Sequence, residues 1–264
     1  MDRDKKLIFE ALENPEVLEQ TVSRRDAVRG GGMLGAGIAL ATMPVLLAGL
    51  TRKAFAQGPL PDSIVNPLNF ALVLEYLESD FYEMGLDAGG LIPSEDRPIF
   101  AQISKHETAH VAFLSSVLGA KAAIRPEWDF TSGGVFDPFN DYETFTLLAQ
   151  GFEDTGVRAY KGQAGNVASN DDILTAALQI HSVEARHASE VRRLRGLKGW
   201  IPLNQTNAPA AFAPVYAGEE NTTHLGIDVS DFQGREAATE AFDEPLGLRD
   251  VLAIAGLFGT GARG

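Results

Sequence analysis

The sequence contains no cysteine. That absence excludes disulfides, thiolate zinc sites and cysteine nucleophiles together, so any metal must be held by carboxylate and imidazole. Basic residues are also scarce, with 22 Lys plus Arg against 36 Asp plus Glu in 264 residues and a net charge of −14. Nucleic-acid surfaces need clustered cations to neutralise phosphates, so this balance excludes a nucleic-acid partner. No internal repeat of solenoid period is present. What is there suits one globular domain with appendages.

The first 56 residues differ in character from the rest. A polar stretch ends in Ser23-Arg24-Arg25-Asp26-Ala27-Val28-Arg29, an uncharged run follows from Gly30 to Leu50, and Arg52-Lys53 precede Ala54-Phe55-Ala56. The layout resembles a twin-arginine export signal: paired arginines, a Gly- and Ala-rich segment of modest hydrophobicity, and an Ala-x-Ala cleavage site before Gln57. It departs from that pattern at Ala27, where a bulkier apolar residue is common. The competing reading is a retained transmembrane anchor, since the run is long enough to span a bilayer. Its glycines and Pro44 make it a poor one. The resemblance implies export to the periplasm or another extracytoplasmic space, with residues 1–56 removed and no membrane contact in the mature form.

Four later segments carry helical periodicity. The first, about Asp62 to Gly85, aligns Leu68, Leu72, Glu75, Ser79 and Tyr82, and glycines 85, 89 and 90 are expected to end it. The second is expected to start from Ser94 as N-cap, with Glu95 and Asp96 in its first turn, and to stop near Gly119. Ile103, His106, Glu107, His110, Leu114 and Val117 share its face. The third, Asp141 to Val167, aligns Thr146, Gln150, Glu153, Val157 and Tyr160; the fourth, Asp171 to about Leu197, aligns Leu174, Ala177, His181, Glu184, Ala188, Val191 and Leu194. Between the second and third lies AKAAIRPEWDFTSGGVFDPFN, which has no period and is long enough to have a topological task. Two helix pairs joined by one long crossover predict an all-α, ferritin-like four-helix bundle. Residues 201–235 read as ordered coil, and Leu246 to Phe258 as a short terminal helix after Pro245.

The chemistry lies in a two-fold echo. In chain order the four segments supply Glu75, then Glu107 with His110, then Glu153, then Glu184 with His187; Tyr82 and Tyr160 stand seven residues after the two single glutamates. About 0.4 Glu-x-x-His matches are expected by chance from 5 His in this composition, and two occur, each on the apolar face of its own helix. Positions i and i+3 share a helix face, so each Glu and His can reach one point on the bundle axis. Four buried carboxylates are prohibitive if uncompensated, whereas two divalent cations neutralise them. Oxygen ligands with one imidazole per metal suit iron or manganese, with zinc as a possible substitute.

The chain resembles the di-metal carboxylate proteins of the ferritin-like superfamily, and within it the exported, desiccation-related ferritin-like family. LNFALVLEYLESDFY, HETAH, FEDTGVRAY, SVEARHA, PVYAGEENTTH and TEAFDEPL carry the resemblance over about residues 60–258. It implies an export signal at 1–56, a bundle at 57–199, and a C-terminal extension at 200–264 packed on the bundle. It implies Glu75, Glu107, His110, Glu153, Glu184 and His187 as ligands of two iron or manganese ions, with Glu107 and Glu184 bridging. Tyr82 matches the tyrosine that follows the first ligand in ferritins and bacterioferritins. Thr108 stands where bacterioferritins carry a haem-binding Met, so no haem is expected.

Two functions follow from that resemblance: a redox enzyme that oxidises Fe(II) or removes peroxide in stress protection, with dioxygen or hydrogen peroxide as its small oxidant, or a metal-binding stress protein without turnover. A monomer or small homo-oligomer is expected, because a storage shell would have to accommodate the extension after Trp200.

Other polar residues have quieter readings. Glu78 is either a further ligand or, as favoured from the sequence, a rim carboxylate. His106 and His181 read as supporting or core histidines, and His224 as an ordinary polar residue. Tyr82 and Tyr160 either fill core volume or orient a carboxylate and relay electrons. Arg158 and Arg186 read as neutralising carboxylates at the surface or around the site.

Overall fold

The computed structural model of the chain describes residues 60–204 and 209–260. The proposed export segment, 1–56, lies outside the described residues. Four long helices form the bundle: α1 (Asp62–Asp87), α2 (Arg97–Leu118), α3 (Tyr142–Val167) and α4 (Asp171–Leu194). α1 packs on α2, α3 on α4, and α1 on α3. Short connections make each consecutive pair neighbours, and one long crossover joins the pairs.

Local chemistry sets the helix ends. Asp141 and Asn170 cap α3 and α4, accepting from the amides of Thr144 and Ile173 at 2.9 and 3.1 Å. Asp171 and Asp172 open α4 and Arg192 and Arg193 close it, each complementing the helix dipole. α4 stops three residues short of the expected Leu197. Gly196 there adopts φ 72°, and the amides of Gly196 and Leu197 turn back onto the carbonyls of Arg193 and Arg192, a left-handed cap that a side chain would strain.

Two other boundaries differ from expectation. α2 begins at Arg97 rather than from a Ser94 cap, because Pro98 suits the first turn, where its missing N–H is not needed; Ser94 instead bonds Glu95. Gly85 does not end α1: it is buried inside the helix, where a Cβ would collide with the Phe145 ring.

The crossover has the task its length implied. Phe130 and Phe136 are buried, and Phe139 packs against the same core. Phe81 of α1 centres this cluster, with ring centroids 4.8 Å from Phe145, 5.0 Å from Phe152 and 5.2 Å from Phe130. Each such ring contributes about 1.5–3 kcal/mol on burial, so the crossover closes this part of the core. It is tied in turn to the C-terminal segment: the Asp129 amide donates to the Phe258 carbonyl (2.7 Å) and the Thr260 amide to the Glu127 carbonyl (3.2 Å).

The C-terminal segment is more structured than expected. Residues 201–235, read as coil, contain short helices α5 (Ala213–Tyr216) and α6 (Ser230–Gln233) and an antiparallel hairpin of β1 (Thr223–His224) and β2 (Ile227–Asp228), and a further short helix, α7 (Arg235–Thr239), follows. The terminal helix α8 is shorter than predicted, Leu248–Ala255. Elements of four or five residues have no room for a hydrophobic period, so the pattern could not announce them.

This segment lies against α3. Every residue of α3 from Leu148 to Tyr160 is buried, because one side faces the bundle axis and the other faces the extension. Gly162 lets the Leu246 backbone approach, with the Leu246 amide donating to the Arg158 carbonyl at 3.1 Å. Among the described residues no helix is long and apolar enough to cross a membrane.

Candidate metal centre

All six glutamates and histidines of the two-fold echo converge at the bundle axis, each 4 % exposed or less. Helix geometry explains the convergence: Glu107 with His110 on α2, and Glu184 with His187 on α4, share faces, and Glu75 and Glu153 meet them from α1 and α3. The atoms form two groups, Glu75, Glu107, His110, Glu184 and Glu107, Glu153, Glu184, His187, each with donor atoms within 4.8 Å of one another. Glu107 and Glu184 belong to both.

The contacts are of a kind that a cation explains better than hydrogen bonding. His110 Nδ1 lies 3.1 Å from each of Glu75 Oε2, Glu107 Oε2 and Glu184 Oε1. A ring nitrogen carries one hydrogen at most and cannot serve three oxygens. His187 Nδ1 lies 2.9 Å from Glu107 Oε1 and 3.3 Å from Glu153 Oε2. Yet His187 Nδ1, Glu107 Oε1, Glu153 Oε2 and both Glu184 oxygens have no well-directed hydrogen-bond partner. Buried polar atoms are seldom left so. Neighbouring ligands about 2.1 Å from a shared metal stand roughly 3 Å apart, which is the spacing found. The donor set fits a metal ion in each group.

Two tyrosines hold the outer carboxylates reciprocally. Tyr82 of α1 donates to Glu153 Oε1 of α3 at 2.5 Å, and Tyr160 of α3 donates to Glu75 Oε1 of α1. Burial first, and then the carboxylate each one faces, pushes both phenols well above their usual pKa, so they stay protonated donors. The free oxygen of each glutamate is thereby turned toward the axis.

His106 supports His187. The two rings stack at 5.1 Å, His106 Nδ1 meets His187 Nε2 at 2.8 Å, and His106 Nε2 meets Gln102 at 2.7 Å. Such a partner fixes the ring and leaves His187 Nδ1 for the cluster.

His181 belongs elsewhere. The face that α4 turns inward is Ile173, Ala176, Ile180, Glu184 and His187, while Leu174, Ala177 and His181 are half-buried beside it. Glu78 is not at the rim either: it is 2 % exposed.

The electrostatics describe a site that holds protons when it holds no metal. Burial raises Glu75 to about 7, and burial with the charges of Glu107 and Glu75 raises Glu184 well above the usual range. Burial opposes charge on His187, but Glu153 and Glu107 outweigh it and push the imidazole up to about 11. Glu107 alone of the six is depressed: burial works to raise it, and His110 and His187 win.

A pH prediction follows. Groups whose folded pKa is raised bind more protons folded than unfolded, so stability falls with rising pH between the two values. For Glu75 that window runs from 4.5 to about 7, and for His187 from 6.5 to about 11. Metal binding requires deprotonated ligands and has the opposite slope. The melting temperature of metal-free protein should therefore fall from pH 5 to pH 8, and the stabilisation gained on adding metal should grow over the same interval. Thermal melts with and without Mn(II) check both.

The other side of α3 carries a buried polar cluster whose partners the sequence did not name. Arg158 is 1 % exposed and does not neutralise a surface carboxylate. Its guanidinium donates to the carbonyls of Glu244 and Ala217 at 2.7 Å each and to that of Val215, and pairs with Glu219 at 2.7 Å. Asp154 pairs with Arg192 at 3.0 Å and accepts from the Tyr216 hydroxyl at 2.7 Å. Arg186 is exposed.

A helical bundle with one long crossover and a buried glutamate–histidine cluster on its axis defines a carboxylate-bundle protein able to hold metal ions. The chain belongs to the ferritin-like domain family, whose model matches residues 63–197. No curated protein matches it.

Proposed function

We propose that this is an exported di-metal carboxylate protein of the desiccation-related branch of the ferritin-like proteins, acting in stress protection by oxidising Fe(II) or removing peroxide. The observation that carries the reading is the pair of donor groups sharing Glu107 and Glu184, three of whose four buried carboxylate oxygens lack a hydrogen-bond partner. Two divalent ions offset the four carboxylates of those groups, and the oxygen-rich donor set with one imidazole on each side favours iron or manganese. A pair of such ions supplies electron exchange with peroxide or dioxygen.

The protein's own part is preorganisation. Glu107 and Glu184 span the two sides, Glu75 and Glu153 are held from behind by Tyr160 and Tyr82, and His187 is braced by His106. The apolar bundle excludes bulk water, so the carboxylates act in a low-dielectric setting. Export rests on the twin-arginine layout of residues 1–56, a pathway that carries folded proteins and allows metal to be inserted before transport. We also place the protein in solution as a monomer or small homo-oligomer.

A second reading, metal binding without turnover, is favoured by the depth at which the ligands are buried. One experiment separates the two. Protein loaded with Fe(II) and given hydrogen peroxide should form Fe(III) well above a Glu107→Ala control, followed by absorbance. Oxidation no faster than the control, with metal still bound, would leave only the non-catalytic reading.

A further inference from the structure

Glu78 is a carboxylate at the site that the six-residue set leaves unused. It lies one turn after Glu75 on α1 and is 2 % exposed. Its surroundings divide in two. On one side is a cavity of about 10 Å³ with Leu74, Leu77, Phe152 and Ile254 in its wall. The hydroxyl there, on Thr155, already donates to the Gly151 carbonyl at 2.6 Å.

On the other side are the carboxylates of the cluster. Gly156 of α3 leaves a gap here: a Cβ at this position would stand 3.1 Å from Glu78 Oε1 and 3.2 Å from Glu184 Oε2. Both oxygens therefore border the space that a side chain at 156 would fill, and Glu184 Oε2 has no hydrogen-bond partner. Burial, and then the charges of Glu184, Glu153, Glu107 and Glu75, push the Glu78 carboxyl well above its usual range. A charged carboxylate between an apolar wall and four others carries a large penalty, which a proton relieves in the metal-free site. A cation in the space beside Gly156 would take the place of that proton.

We propose that Glu78 is a seventh metal-binding residue, supplying an oxygen to the centre on the Gly156 side, next to Glu184. The proposal rests on the reading of the cluster as a metal centre and extends it. Four carboxylates balance two divalent ions, and Glu78 adds a fifth negative charge, so it strengthens the hold on cations and favours a higher total positive charge. Gly156 is then a specificity feature: its missing side chain is what lets Glu78 reach the centre.

The test is Mn(II) titration calorimetry on the full chain, its Glu78→Gln variant and its Gly156→Ala variant, with a thermal melt of each metal-free protein. Glu78→Gln keeps the shape and removes the charge. It should bind Mn(II) at least about tenfold more weakly, the lower bound being what loss of a residue that only orients a ligand costs, while its metal-free form melts no lower than the parent. Gly156→Ala keeps all seven side chains and should weaken binding as well.

Mn(II) affinity unchanged in both variants overturns the proposal, as does a Glu78→Gln variant whose sole defect is a lower metal-free melting temperature, which marks a packing role. If the parent itself takes up no Mn(II), the metal reading fails and Glu78's role fails with it. If the parent binds and the variants bind equally, the proposal about Glu78 fails alone.

Discussion

Replacing Glu107 by alanine should empty the whole centre rather than half of it. Glu107 presents Oε2 to His110 at 3.1 Å and Oε1 to His187 at 2.9 Å, one oxygen to each donor group. Glu153, by contrast, belongs to the His187 group alone. Loss of a residue that merely supports a ligand weakens metal binding about 10–100-fold, so loss of a ligand common to both groups should cost more than about 100-fold at each. Glu153→Ala should weaken one ion and leave the other nearly as tight. Metal titration of the two variants checks this, with circular dichroism to confirm the helices. A Glu107→Ala protein that keeps one ion at parental affinity would show that the two groups do not share this carboxylate.

Arg158→Met should be the most damaging change to the fold outside the centre. The guanidinium is buried, pairs with the buried Glu219 and donates to the carbonyls of Val215, Ala217 and Glu244, all in the extension. Burial already holds Glu219 up at about 7 despite its arginine partner. Removing one member of a buried ion pair typically costs about 3–5 kcal/mol, because the other is left uncompensated. Urea denaturation should show a loss of that order, and limited proteolysis should cut the extension near residues 213–246 first. Adding Glu219→Gln should restore part of the loss, since the stranded charge is gone. A single variant within 1 kcal/mol of the parent would mean that Arg158 does not clamp the extension.

These two residues also mark how far the sequence could be read. Glu107 was legible because a glutamate and a histidine at i and i+3 on an apolar stripe have no cheap structural explanation, and the pattern recurs on α4. The stripe on α4 was misread upstream of Glu184. Counting back in sevens selects Leu174, Ala177 and His181, whereas a straight helix drifts about 20° per heptad and buries Ile173, Ala176 and Ile180 instead. That drift removes His181 from the site. His106 could be named as a supporter, but not its partner, since contact with His187 spans 81 residues.

Arg158 was not legible because its partners lie 57 to 86 residues away, in a segment without periodicity. A signal did exist. Residues 151–160, GFEDTGVRAY, put apolar or small residues on every face beside Glu153, Asp154 and Arg158, so no face is purely polar, as a helix packed on two sides requires. The same reasoning would have drawn Glu78 inward: α1 is buried over Leu74 to Ser79 without a break, so a carboxylate there had no rim to reach.

If each donor group holds one ion, each chain carries two. Elemental analysis by mass spectrometry of protein purified from its own compartment, normalised to chain concentration, tests it most directly. Two iron or manganese ions per chain are predicted. One per chain, or none in protein that remains folded and takes up none on exposure to Fe(II) or Mn(II), would contradict it.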